Sequence, residues 1–205
     1  MPSPPDYFAV FEETPRPWLD PERLRQKFLD LSAAVHPDRV HQLDSPERAK
    51  AHERYVLLNV AYQCLSRHRD RVRHLLELES GERPEEISRV PAELVNLFME
   101  IGRELREAEK LHLEKTKTTS PLLQVQLFER AQKQVERLQQ LRDTLRTLNE
   151  KAEADLRLAD REWTEATAGA DRKALLPPLR ELQHRLGYLD KWEAQLHQRI
   201  LELSI

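Results

Sequence analysis

The stretch DPERLRQKFLDLSAAVHPDRVHQLDSPERAKAHERYVLLNVAYQCL, residues 20–65, reads as two helices joined by a polar loop. Asp20-Pro21 and Ser45-Pro46 each pair a capping side chain with a proline. The side-chain oxygen accepts from a free backbone N–H of the first turn, and the proline's missing N–H costs nothing there. From Pro21 onward, Leu24, Phe28, Leu31 and Val35 recur at helical gaps. The helix must stop before Pro37, because the residue preceding a proline resists helical backbone angles. The second helix starts near Pro46, and its apolar stripe is expected to comprise Ala49, Val56, Leu57, Val60, Ala61, Cys64 and Leu65. Two amphipathic helices flanking the loop of residues 36–45 predict an antiparallel hairpin with that loop at its tip.

Working outward, Asp6-Tyr7-Phe8-Ala9-Val10-Phe11 has the apolar content of a small helix packed on the hairpin. Beyond Arg67-His68-Arg69, the residues Val72, Leu75, Leu76 and Leu78 predict a fourth short helix. Ser80-Gly81-Glu82-Arg83-Pro84 then breaks the pattern. We therefore expect a first domain over residues 1–80, a linker over 81–90 and a second domain over 91–205. In the second, Leu94, Leu97, Phe98, Ile101, Leu105, Ala108 and Leu111 form one stripe. Ser120-Pro121 opens a long helix whose stripe runs from Phe128 through Ala131, Val135 and Leu138 to Trp163, a rod of roughly 50 Å. A last stripe runs from Leu179 to Leu203, with Pro177-Pro178 expected to kink or delay its helix. Three helices with one apolar stripe each predict an antiparallel three-helix bundle, coiled-coil-like where two helices outlast the third. The fold class is thus all-α, and the 4 glycines in 205 residues agree with long helices.

Charge narrows the function classes. Lys and Arg number 33 against 36 Asp and Glu, a net charge of -3, so no basic excess points to nucleic acid or a membrane surface. No run approaches the roughly 20 apolar residues of a membrane span. Met1-Pro2-Ser3-Pro4-Pro5 lacks the basic and apolar regions of a signal peptide. A cytoplasmic location is the expectation. The single Cys64, on an apolar stripe, predicts a buried structural thiol rather than a nucleophile. No phosphate loop or GxGxxG is present. His36 and His41 form the closest loop pair of histidines but have no acidic or thiol companion of metal-ligand spacing. We expect no enzyme activity, no metal and no cofactor.

The tripeptide His36-Pro37-Asp38 opens the hairpin loop after a helix bearing Arg23, Arg25 and Lys27, and Arg39 follows it. This arrangement resembles a J-domain, in which the loop and the basic face of the preceding helix dock on a DnaK-type chaperone ATPase. Proline limits backbone freedom, so docking costs less entropy; Asp38 can pair with an arginine; basic side chains steer an acidic surface. Further segments resemble the HscB branch of J-proteins, which serves iron–sulfur cluster assembly. These are Asp6-Tyr7-Phe8 with Phe11, Asn59-Val60-Ala61-Tyr62 with Leu65, and Arg71-Val72 with Leu75-Leu76. In the second domain they are Leu97-Phe98-Met99-Glu100-Ile101 and Tyr188-Leu189-Asp190-Lys191.

The resemblance implies an ATPase contact through His36, Pro37, Asp38, Arg25, Lys27 and Arg39 to an HscA/DnaK-type chaperone. It also implies an IscU-type scaffold protein as client, held by Phe98, Met99, Gly102 and Tyr188, with Glu100 and Glu104 nearby for polar contacts. Departures are specific. Val35 stands where the family places an aromatic, Ala33 where it places a basic or polar residue, and His74 where it places a tyrosine. Gly102 and Arg103 replace a bulky apolar and an acidic residue. Two other readings stay open: a coiled-coil adaptor that tethers a partner, and a J-protein for another client.

Overall fold

The structure, a computed structural model, describes residues 5–36, 45–81, 90–166 and 170–204. All regular structure among them is helical. Helices α1 (Tyr7–Val10), α2 (Pro21–Ala34), α3 (Ser45–Ser66) and α4 (His68–Ser80) are followed by a 3-10 turn at Ala92–Leu94. Then come α5 (Val95–Lys117), α6 (Pro121–Glu165) and α7 (Ala170–Ser204). The chain divides into two compact units, and α6 and α7 each supply residues to both.

The first unit comprises residues 1–85 and 155–183. Asp6 caps α1, accepting from Phe8 and Ala9 N–H, and Asp20 caps α2, accepting from Arg23 N–H at 2.9 Å. Such caps contribute about 1 kcal/mol each. Helix α3 packs on α1, α2 and α4, burying Leu58, Ala61 and Leu65. Val56 and Val60, expected on the buried stripe, face solvent instead. Residues 55–60 are apolar at five of six positions, so their spacing alone leaves the helix's rotation undetermined. The aromatic contacts decide it: Tyr62 stacks on Phe28 at 4.3 Å between ring centres and lies 6.4 Å from Phe11. Gly81 ends α4 in the left-handed region at φ 72°, which strains any residue with a Cβ.

Two polar anchors lie beneath the hairpin. The buried Arg71 guanidinium donates to the Pro17 carbonyl at 2.8 Å and the Leu65 carbonyl at 2.5 Å, tying the α3–α4 corner to the segment before α2. The buried His74 accepts from Tyr7 N–H through Nε2 at 3.0 Å and stacks against Phe8. That acceptor nitrogen must be unprotonated. Burial pushes the imidazole below its ordinary 6.5, with Arg73 adding to the push against the opposing carboxylates of Asp6 and Glu77.

The ends of α6 and α7 complete this unit. The buried carboxylate of Asp160 receives Arg16 Nε at 2.8 Å, Arg16 Nη2, and Trp18 N–H at 3.2 Å. Trp163 Nε1 donates to the Pro15 carbonyl at 3.1 Å. The Arg157 guanidinium lies 5.0 Å over the Trp18 ring, and Arg172 lies 5.0 Å over Trp163.

The second unit comprises residues 86–154 and 184–205. Its core takes Ile101, Ala108 and Leu111 from α5, Ala131, Leu138 and Leu145 from α6, and Leu189, Trp192 and Leu196 from α7. The buried stripe of α6 starts at Leu127, and Phe128, expected there, is exposed. The apolar run Leu122–Phe128 offers two adjacent stripes, and the one continuing through Ala131 and Val135 is buried. Helix α6 has 45 residues, about 68 Å, longer than its apolar stripe implied. Helix α7 runs unbroken through Pro177 and Pro178. The two prolines and the residues four earlier, Lys173 and Ala174, are all exposed, so water can satisfy the carbonyls that lack an amide partner. The last carbonyls of α7, on Glu202 and Leu203, receive His112 Nδ1 at 3.2 Å and Lys115 Nζ at 3.0 Å.

Asp160→Ala is expected to lower unfolding free energy by about 2 kcal/mol in urea titrations, since it strands Trp18 N–H and Arg16. The exposed Glu129→Ala should change it by less than about 0.5 kcal/mol. The unfolded His74 takes up a proton near pH 6.5 that the folded imidazole refuses, so its stabilising contribution is present above that pH and is lost as pH falls below it. The melting temperature should therefore drop between pH 7 and 5, and His74→Phe should drop less over that interval.

Candidate functional site

At the end of α2, the backbone leaves helical geometry at Val35 and His36 follows, half-buried. Its ring meets Tyr55 of α3 edge-on at 5.7 Å between ring centres, so the imidazole sits between the two helices of the hairpin. Pro37, Asp38 and Arg39, with His41, lie outside the described residues. Arg25 is exposed on α2, and the exposed Leu29 follows one turn later. Lys27 is placed differently. Its ammonium donates to the Glu12 carbonyl at 3.1 Å and the Glu13 carboxylate at 2.8 Å. Residues two apart sit roughly 200° apart around a helix, so Arg25 and Lys27 do not share a face.

The second candidate surface lies on α5 and α7. Phe98 is 42 % exposed and Met99 62 % exposed. Beside Phe98 is the buried Trp192, whose ring centre is 6.2 Å from Phe98 and 5.4 Å from the half-buried Tyr188. Phe98 and Tyr188, 90 residues apart in sequence, are thus brought to one aromatic platform. Neither Trp192 nor the exposed Val95 was singled out from the sequence. The i, i+4 spacing of Tyr188 and Trp192 was the available signal.

The two acidic residues lie elsewhere. Glu104 is buried, and its Oε2 and carbonyl receive Gln134 Nε2 of α6 at 2.9 and 3.0 Å, while Oε1 receives Arg103 Nε at 3.0 Å. Burial by itself would raise its pKa. The hydrogen bonds from Gln134 and Arg103, with the charges of Arg103 and Arg137, outweigh that and hold the carboxyl below its ordinary 4.5. Glu100 is exposed but lines a groove between α5 and α6 with Arg137 and Gln140. Gly102 follows Met99 on the same face, and a Cβ built there would meet Arg106 Nη1 at 3.5 Å.

Burial pushes the Cys64 thiol up to about 11, leaving it a poor nucleophile, and its Sγ lies 3.5 Å from the Asp70 carbonyl. Among the described residues no group of three His, Cys, Asp or Glu is placed to hold a metal ion. No described helix is long and apolar enough to cross a membrane.

Glu104→Ala should lower unfolding free energy by about 1 kcal/mol, because it removes one of the two acceptors of the buried Gln134 amide and leaves the backbone carbonyl as the other. Met99→Ala, removing an exposed side chain, should stay within about 0.5 kcal/mol of the parent in the same urea titration.

The chain matches no protein-family model. Its fold is similar to that of the chaperone HscB from Vibrio cholerae, with a TM-score of 0.62 over 95 % of this chain and 96 % of that one, at 17 % sequence identity.

Proposed function

We propose that the protein is a J-type co-chaperone: it stimulates ATP hydrolysis by an HscA/DnaK-type chaperone and delivers an IscU-type scaffold protein to it in iron–sulfur cluster assembly. The observation that carries this reading is His36, opening His36-Pro37-Asp38 at the end of α2 in a hairpin, within a chain that shares the fold of a chaperone along nearly its whole length. Residues 1–80 act on the ATPase, residues 91–205 hold the client, and 81–90 join them. The α6–α7 segment 155–183 buttresses the first function rather than the second, since it packs with residues 1–85. Arg25 supports ATPase docking from the exposed face of α2, with Pro37, Asp38 and Arg39 continuing the contact. Lys27, held by Glu12 and Glu13, contributes mainly to the α1–α2 corner. The client meets Phe98 and Tyr188 beside Trp192, together with Met99 and Gly102. The protein carries out no bond chemistry of its own in this reading, takes no cofactor, and works in the cytoplasm.

Single-turnover ATP hydrolysis by the cognate DnaK-type chaperone tests the proposal. The protein should accelerate it, and His36→Gln should lose at least tenfold of that acceleration while circular dichroism stays unchanged. A wild-type protein that leaves hydrolysis at the basal rate would rule out the co-chaperone reading in favour of an adaptor.

A further inference from the structure

Helix α5 carries two stripes. One is buried, with Ile101, Ala108 and Leu111. The other consists of Val95, Met99, Gly102 and Arg106, at gaps of 4, 3 and 4, which places all four on one face of the helix. Val95, Met99 and Arg106 are exposed and Gly102 is half-buried. Arg103, one turn after Met99, has a side chain 68 % exposed. The missing side chain at Gly102 opens a notch between Met99 and Arg106, and the Arg106 guanidinium reaches back toward it.

Of the acidic residues flanking this ridge, Glu107 is paired with Lys110 and Glu109 with Arg199. Glu104 is turned into the bundle against Gln134, and Glu100 lines the groove toward Arg137. Arg103 is paired with Glu104, whereas Arg106 makes no ion pair among the described residues. A partner that covers Met99 and Phe98 removes water from around Arg106. An arginine losing its hydration needs an acceptor in exchange, and a carboxylate matches its donor fork best.

We infer that the protein partner of this surface presents an acidic side chain beside the apolar group that covers Met99, and that Arg106 is the residue which selects for it. The inference rests on the client reading above and adds the partner's chemistry to it. Electrostatic matching of this kind governs association rate and discrimination between partners, so salt should weaken binding.

Calorimetric titration of the full chain with the apo scaffold protein, at low and at physiological salt, tests it. The wild-type affinity should fall severalfold with added salt. Arg106→Glu should weaken binding at least tenfold, and Arg106→Lys, which keeps the charge, should fall between it and wild type. Met99→Ala should weaken binding with the salt dependence unchanged. Arg106 is exposed and outside any ion pair among the described residues, so the melting temperature of Arg106→Glu should match the parent and exclude misfolding. Binding that Met99→Ala weakens but Arg106→Glu and salt leave alone would overturn the inference and keep the client reading. No binding of the scaffold by the wild-type chain would overturn both.

Discussion

One buried carboxylate carries much of the first unit. A helical hairpin with two short accessory helices encloses a small core, and chains of that size bury too little apolar surface for comfortable stability. Here the shortfall is met by residues far along the sequence. Asp160 and Trp163 receive and anchor the segment Pro15–Trp18, and Arg71 holds the same segment from the other side through the Pro17 carbonyl. The loop between α1 and α2 is thereby fixed at several backbone groups. Because α2 starts at its Asp20 cap immediately after that loop, the hairpin inherits its position from the clamp.

The hairpin's tip is the part that the proposed function needs. His36 follows α2 and leans on Tyr55, so its place depends on how α2 and α3 pack. That packing rests on Phe28 against Tyr62, with Phe8 and Phe11 closing the underside beside His74. A histidine in this last position adds an acceptor for Tyr7 N–H that an apolar ring lacks, and in exchange makes the core sensitive to acid. Local sequence, tertiary packing and the placement of His36 thus form a single chain of causes.

Much of this could be read from the sequence wherever a residue's chemistry is local. Proline and capping residues marked the starts of α2 and α6 to within a residue, and Gly81 marked the end of α4. Where apolar residues run together, as at residues 55–60 and 122–128, periodicity gave two answers, and only the neighbouring helices could choose Leu58 over Val56 or Leu127 over Phe128. Pro177 and Pro178 do not delay α7 for a related reason: their cost depends on whether water reaches the freed carbonyls, which is a property of the surface. Glu104 was the furthest from view. Its role depends on Gln134, 30 residues away on another helix.

Glu104 bears on the proposed client surface, where the family resemblance implied acidic polar contacts. A carboxylate on a bundle helix has two ways to be satisfied: by water and an incoming partner, or by a donor on the adjacent helix. Gln134 supplies the second, with two hydrogen bonds from one amide, and so turns the Glu104 carboxylate into the bundle while Glu100 stays exposed. Gly102 then leaves room along the outer face for Arg106, the next residue on that stripe. Phe98 and Met99 stay exposed on α5, and among the described residues Arg106 is the free charge on the stripe of Met99. One helix can hold a constant apolar anchor and a variable rim because the two lie on different strips of its surface, so a change in the rim need not disturb the core beneath it.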